Sequence, residues 1–244
     1  MFDLVDARYG VDMSSHRFQD RVVVVTGGTG ALGRAVVAQL LAEGGTVHVP
    51  VFHEGQRAGV EESPRLHLHG GVDLTSEVST ERFYAAVGGV FASIHVAGGF
   101  AMGPIETTSG DEFERLMRLN AGTCFNTCRA AVEAMRADGG GGRIVNVAAR
   151  PAIVPTGGMV AYAASKAAVA SMTRCLAEEV AAEGIWVNAI VPSIMDTPAN
   201  RAAMPDVDPS SWPTTREVAS TICFLASPEN ASTRGALVQV DGRA

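Results

Sequence analysis

The chain has 244 residues, 47% of them hydrophobic and 18% charged, and a formal net charge of −7. That apolar content supplies a large core and excludes an intrinsically disordered chain. The acidic balance excludes nucleic acid as the expected partner, since phosphate binding needs an excess of Lys and Arg, and leaves a small molecule.

In chain order, residues 1–18 read as an N-terminal extension, because Met13 is followed directly by the approach to a Val-rich run. The segment carries acids and no apolar stretch of signal-peptide length. Residues 19–244 are expected to form one domain. Residues 21–25 form a short Val-rich strand of the kind buried on both faces of a parallel sheet. A helix follows over 34–42, then strands over 47–51 and 65–68, a helix over 77–87 and a strand over 90–96. Residues 111–135 read as one long helix, opened by the capping residues and acids of Ser109-Gly-Asp-Glu. Four glycines, 139–142, hinge into a strand over 143–147. A second long helix covers 161–182, then a strand 186–191, a helix 217–225 and a last strand 236–240.

This alternation predicts an α/β fold: a single doubly wound Rossmann-type domain with a mainly parallel, seven-stranded sheet. Residues 192–212 break the pattern with Pro192, Pro198, Pro205 and Pro209. An irregular loop of that length, at the carboxyl end of the sheet, is expected to be the substrate loop. Cys124, Cys128, Cys175 and Cys223 form no CxxC pair and all fall in helical patterns, as free cysteines of a reducing compartment do. No run reaches the roughly 20 apolar residues of a bilayer span. The expectation is a cytoplasmic protein without a membrane partner.

Two motifs carry chemistry. Thr26-Gly27-Gly28-Thr29-Gly30-Ala31-Leu32-Gly33 follows a strand and opens a helix. Glycines there make the tight turn and admit a pyrophosphate, which the N–H groups of the helix start receive. Gly27, Thr29, Gly30, Ala31, Leu32 and Gly33 are therefore candidate cofactor residues. A glycine-rich turn without a ligand is the plain alternative. Tyr162-Ala-Ala-Ser-Lys166 places a phenol and an ammonium on one helix face. The ammonium is expected to lower the phenol pKa from about 10 toward neutrality, making Tyr162 a general acid for carbonyl or imine reduction. Its alternative is a helix-face Tyr beside a solvated Lys. His67 and His69 alternate on one strand face. With no third ligand at sensible spacing they read as a solvated face, and no metal is expected.

In these motifs and their order the chain resembles the short-chain dehydrogenase/reductases, over about residues 21–242. The resemblance implies an enzyme that moves a hydride to or from NAD or NADP and commonly assembles as a dimer or tetramer. It implies Tyr162, Lys166 and Asn120 as the catalytic residues, with Asn120 holding a helix kink and a proton-relay water. It adds Phe52, Asp73, Leu74, Ala97, Gly98, Tyr162, Lys166, Pro192 and Thr197 to the cofactor-binding set. The sequence departs from the family pattern at four sites. Ala31 stands for the middle glycine. Val51 and Phe52 occupy the positions where an acid selects NAD, while His53 and Arg57 lie close enough to meet a 2′-phosphate. His95 and Val96 replace two Asn residues. Ala149 stands where a substrate-binding Ser is usual.

The missing Ser is shared with the quinonoid dihydropteridine reductase branch of that family. Gly27–Gly33, Val96-Ala97-Gly98-Gly99-Phe100, the approach Gly158-Met159-Val160 to Tyr162, and Asp196-Thr197-Pro198-Ala199-Asn200-Arg201 with Met204-Pro205 and Ser210-Ser211-Trp212 are similar to segments of that branch. The implied substrate is a small conjugated C=N or C=O group. A 3-oxoacyl or small-ketone reductase is the alternative enzyme, and a nicotinamide-binding regulatory protein without turnover the alternative of another class.

Overall fold

The computed structural model describes residues 5–6, 11–12 and 16–243. Most of the expected extension lies outside them, apart from a short antiparallel pairing of Val5–Asp6 with Val11–Asp12. The packed fold reaches back to Arg17 and Phe18. Arg17 pairs with Glu43, and Phe18 is fully buried against Leu40 and its neighbours.

Seven parallel strands form the sheet: β1 (Val22–Thr26), β2 (Thr46–Val51), β3 (Leu66–Gly70), β4 (Val90–His95), β5 (Gly142–Val147), β6 (Ile185–Pro192) and β7 (Leu237–Val240). Their order is β3-β2-β1-β4-β5-β6-β7. The chain leaves β3 at one edge and returns on the far side of β1. The carboxyl ends of β1 and β4 thus flank the switch point where such sheets bind ligands.

Strand side chains alternate between faces, and both faces are covered. Val23 and Val25 of β1 pack under α1 (Ala31–Ala42) and, with Ile222, under the last helix. Val24 faces the opposite layer with Tyr84, Met135, Val169 and Val187. That layer holds α2 (Glu77–Val87), α4 (Thr123–Ala137) and α5 (Val160–Glu179). A short α3 (Gly110–Leu116) precedes α4.

The long helix expected over 111–135 is present, running without interruption from Gly110 to Ala137 but with a change of hydrogen-bond pattern inside it. Residues Met117–Gly122 form a π turn between α3 and α4. Asn120 lies within it, and its side-chain amide is hydrogen-bonded to Gly99 and Ser165 on other elements. The segment 192–212 is also more ordered than its prolines suggest. Pro198–Ala203 forms α6, with Thr197 as N-cap and Pro198 in its first turn, where a missing N–H costs nothing. A helical turn follows at Pro209–Ser211, and then α7 (Thr215–Ala226).

His67 and His69 are not an isolated pair. His48, on the neighbouring strand, lies with its ring 4.7 Å from that of His67, and its Nδ1 is 2.9 Å from His69 Nε2. The parallel register pairs His48 with His67 directly, a contact that sequence spacing conceals. No helix among the described residues is long and apolar enough to cross a membrane.

Candidate active site

The glycine turn joins β1 to α1. Gly27 has φ +66°, and a Cβ there would lie 2.8 Å from the backbone nitrogen of Ala97. Only glycine lets β1 and the strand-four loop meet this closely. A Cβ at Gly33 would overlap the carbonyl oxygen of Gly27, so α1 starts hard against the turn. The first-turn N–H groups of Ala31, Leu32 and Gly33 have no helical partner, the arrangement that receives a phosphate. Arg34 anchors the turn from behind. Its Nε donates to Thr29 O at 2.7 Å, and its guanidinium reaches the carbonyls of Ala58 and Gly59.

A cleft of about 570 Å³ opens beside this turn. Gly27, Thr29, Phe52, Asp73, Leu74, Ala97 and Gly98, all expected cofactor residues, line it. Asp73 also caps its own loop: one carboxylate oxygen accepts from the N–H and hydroxyl of Thr75. Gln56 lines the cleft too, and its Oε1 accepts from the N–H groups of Phe52 and His53. Sequence reasoning passed over Gln56, although His53-Glu-Gly-Gln56 has the spacing of a capping box. Neither His53 nor Arg57 is in the lining. Arg57 pairs with Glu54 at 3.0 Å.

Asn120 clamps the floor of the site. Its Oδ1 accepts from Gly99 N at 2.9 Å, and its Nδ2 donates to Gly99 O and to Ser165 Oγ at 3.0 and 2.9 Å. The loop after β4, the π turn and α5 are thereby fixed together. A Cβ on Gly98 would collide with that amide and approach Lys166 Nζ to 3.4 Å.

On α5, Tyr162 is half-buried and Lys166 buried, one turn apart. Lys166 Nζ donates to Val147 O at 2.8 Å, at the end of β5. The ring of Phe100 stands edge-on to Tyr162, with centroids 4.9 Å apart. The order is strand, glycine turn, helix; then an Asn clamp; then Tyr and Lys one turn apart beside the glycine cleft. The family model described as short chain dehydrogenase matches residues 21–208.

The chain belongs to the short-chain dehydrogenases.

Its relatives include levodione reductase of Leifsonia aquatica, 30% identical over 93% of this chain and 94% of the relative. Cyclopentanol dehydrogenase of a Comamonas strain is 31% identical over 93% of this chain and 97% of its own. Among solved structures, a short-chain type dehydrogenase/reductase from Mycobacterium ulcerans superposes with a TM-score of 0.86 at 27% identity, covering 93% of this chain and 90% of that one. As a member of this family the protein is an NAD(P)-dependent oxidoreductase.

Within that frame the expected electrostatics need correcting. The phenol of Tyr162 is pushed up to about 12 by burial, not lowered by its lysine. Burial also lowers Lys166 to about 8, and its proton is engaged with Val147 O. A buried cation whose hydrogen bond points at the sheet contributes little to stabilising a phenolate. Ala149 is buried in extended backbone, and its methyl offers no hydrogen bond. Thr197 is buried with its hydroxyl capping α6, accepting from Asn200 N at 3.2 Å. Pro192 ends β6 in the core.

Proposed function

We propose that this short-chain dehydrogenase reduces a small cyclic substrate whose C=O or C=N group is conjugated, with NADH or NADPH as the source of the hydride. The residues present fit the nicotinamide cofactor. A Cβ at Gly27 or Gly33 would strike neighbouring backbone, so the turn stays tight; Gly27, Thr29 and Gly30, with the N–H groups of Ala31, Leu32 and Gly33, would hold the pyrophosphate. Phe52, Asp73 and Leu74 hold the adenosine half. Ala97, Gly98, Tyr162, Lys166, Pro192 and Thr197 would hold the nicotinamide half. The cofactor supplies the hydride; the chain's own residues position the acceptor and supply the proton.

Tyr162 is the proton donor. Its hydroxyl stays protonated at neutral pH, with burial holding it near 12, and it can release the proton only as negative charge develops on the acceptor. Phe100 packs edge-on against the ring. Lys166 and Asn120 set the α5 face against β5 and the Gly98–Gly99 loop.

The observation that carries the substrate class is Ala149. An isolated ketone gathers a localised alkoxide in the transition state and needs positioned donors, each worth on the order of 10²–10³ in rate. With a methyl at 149, one such donor is missing. A conjugated acceptor spreads the incoming charge and suffers less from the loss. The relatives named levodione reductase and cyclopentanol dehydrogenase favour a second reading, a small-ketone or alcohol enzyme of ordinary type.

The test is a panel of kcat/KM values with quinonoid dihydropterin, simple quinones, cyclic enediones, cyclopentanone and acetoacetyl thioesters. Preference for the conjugated acceptors supports the proposal. Equal or better turnover of cyclopentanone overturns it in favour of the second reading. Cofactor binding without turnover of any acceptor would indicate a regulatory protein.

A further inference from the structure

Behind the cleft floor, three soft donors meet in the core. Cys124 and Cys128 stand one turn apart on α4, and His95 ends β4; all three are buried. The two Sγ atoms are 3.9 Å apart, and Cys128 Sγ is 3.6 Å from His95 Nδ1. One donor atom from each residue lies within 4.8 Å of the others. We infer that these three side chains form a binding site for a thiophilic divalent cation, zinc above all.

The spacing supports this. A tetrahedral zinc with Zn–S near 2.3 Å and Zn–N near 2.05 Å sets S···S edges at about 3.8 Å and S···N edges at about 3.6 Å. The Cys124–Cys128 and Cys128–His95 separations match these edges, and the third, Cys124 to His95, lies within 4.8 Å. Two thiolates and an imidazole form a donor set that selects zinc over the harder magnesium or calcium. Asn146 Oδ1, 3.5 Å from Cys128 Sγ, stands beside the triad as an oxygen donor or a water partner for the fourth position.

The outer shell is built as well. His95 Nε2 is 2.8 Å from Ser93 Oγ, which is 2.7 Å from the buried Tyr84 hydroxyl. Asn146 Nδ2 donates to Thr173 Oγ1 at 2.9 Å, which turns Oδ1 toward the cluster. That Oδ1 accepts from His95 Nδ1 at 2.8 Å. Metal uptake moves this proton to Nε2, where Ser93 Oγ accepts it, and frees Nδ1 to ligate. The two thiol protons leave to solvent, so Zn²⁺ with two thiolates adds no net charge to the core. That neutrality removes the main cost of burying an ion.

The site bears on the enzyme through the helix that carries it. Cys124 is four residues after Asn120, in the first turn of α4 directly behind the π turn. A cation there braces the segment from which Asn120 holds Gly99 and Ser165. The histidines on β2 and β3 are the competing donor set, and they are separable by mutation.

The experiment titrates the full-length, chelator-stripped, reduced protein with Zn²⁺ against a competing chelator, and with Co²⁺ read by absorbance. The expected result is one equivalent per chain, with thiolate-to-cobalt charge-transfer bands. Cys124→Ala/Cys128→Ala should lose those bands and weaken Zn²⁺ binding by more than the roughly 100-fold that loss of an outer-shell partner can cost. His95→Asn should weaken binding similarly while keeping some thiolate–cobalt absorption. Cys175→Ala, at an exposed cysteine, should change neither. Absence of a stoichiometric equivalent, or of thiolate bands in the wild-type protein, overturns the inference. So does a double variant that binds as the wild type does, which would place the ion at His48, His67 and His69. Should the double variant fail to fold, the wild-type stoichiometry and bands decide by themselves.

Discussion

Lys166 reaches across from α5 to β5 and donates a hydrogen bond to the carbonyl oxygen of Val147, 2.8 Å away, one helical turn beyond the phenol of Tyr162. The two side chains share a helix face, yet the ammonium faces the sheet. Burial then acts on each group separately. It lowers Lys166 to about 8 and raises Tyr162 to about 12, because in both cases the charged form loses its water.

Tyr162→Phe should retain cofactor binding while kcat falls by roughly 10²-fold or more, the usual scale for a lost general acid. Because the phenol is protonated far above neutrality, reduction by the wild-type enzyme should hold its rate from pH 6 to 8, while alcohol oxidation should climb with pH. Paired pH profiles of kcat/KM in the two directions check this. Unchanged turnover in the Phe variant would remove Tyr162 from the chemistry.

Ala149→Ser should raise kcat/KM on an isolated ketone more than on a quinonoid acceptor, toward the 10²–10³-fold worth of one positioned donor. Ala149 is buried, but small neighbours, Ala148 and Ala152, flank it, and one oxygen is a modest addition. The measurement is the ratio of the two kcat/KM values in wild type and variant. An equal change for both substrates would separate the missing hydroxyl from substrate choice.

The histidine cluster should make stability depend on pH. Burial, and then His67 and His69, lower His48 to about 4; burial, and then His67 and Arg57, lower His69. The unfolded chain binds these protons more readily, near 6.5. The contribution is therefore fully present above about pH 6.5 and is lost as the pH falls toward 4. The thermal midpoint should drop across that window, and His48→Gln should flatten the drop relative to wild type. Parallel curves for the two proteins would show that the cluster is not the cause.

Phe113 on α3, Phe125 on α4 and Val160 on α5 are each more than two-fifths exposed. Apolar side chains on three neighbouring helices are costly to leave in water. The chain should form a dimer or tetramer through these helices. Light scattering at micromolar concentration checks it, and Phe125→Glu should shift the population toward monomer. A monomeric wild type would refute the expectation.

The sequence by itself determined the sheet, its helices and seven of the seventeen residues that line the cleft. Strand and helix periods are local, and so is the chemistry of the turn at Gly27–Gly33; none of these needs a distant partner to be read. The Tyr162–Lys166 spacing was legible for the same reason. Only the tertiary structure decided which group accepts the Lys166 hydrogen bond, because Val147 lies 19 residues earlier on another element. It alone put a π turn into the helix at Met117–Gly122, where Asn120 satisfies groups 21 and 45 residues away. It alone brought His48 to His67 and His69, and His95 to Cys124 and Cys128. Parallel pairing and helix-on-sheet packing join residues tens of positions apart, and a linear pattern carries no record of which ones will meet.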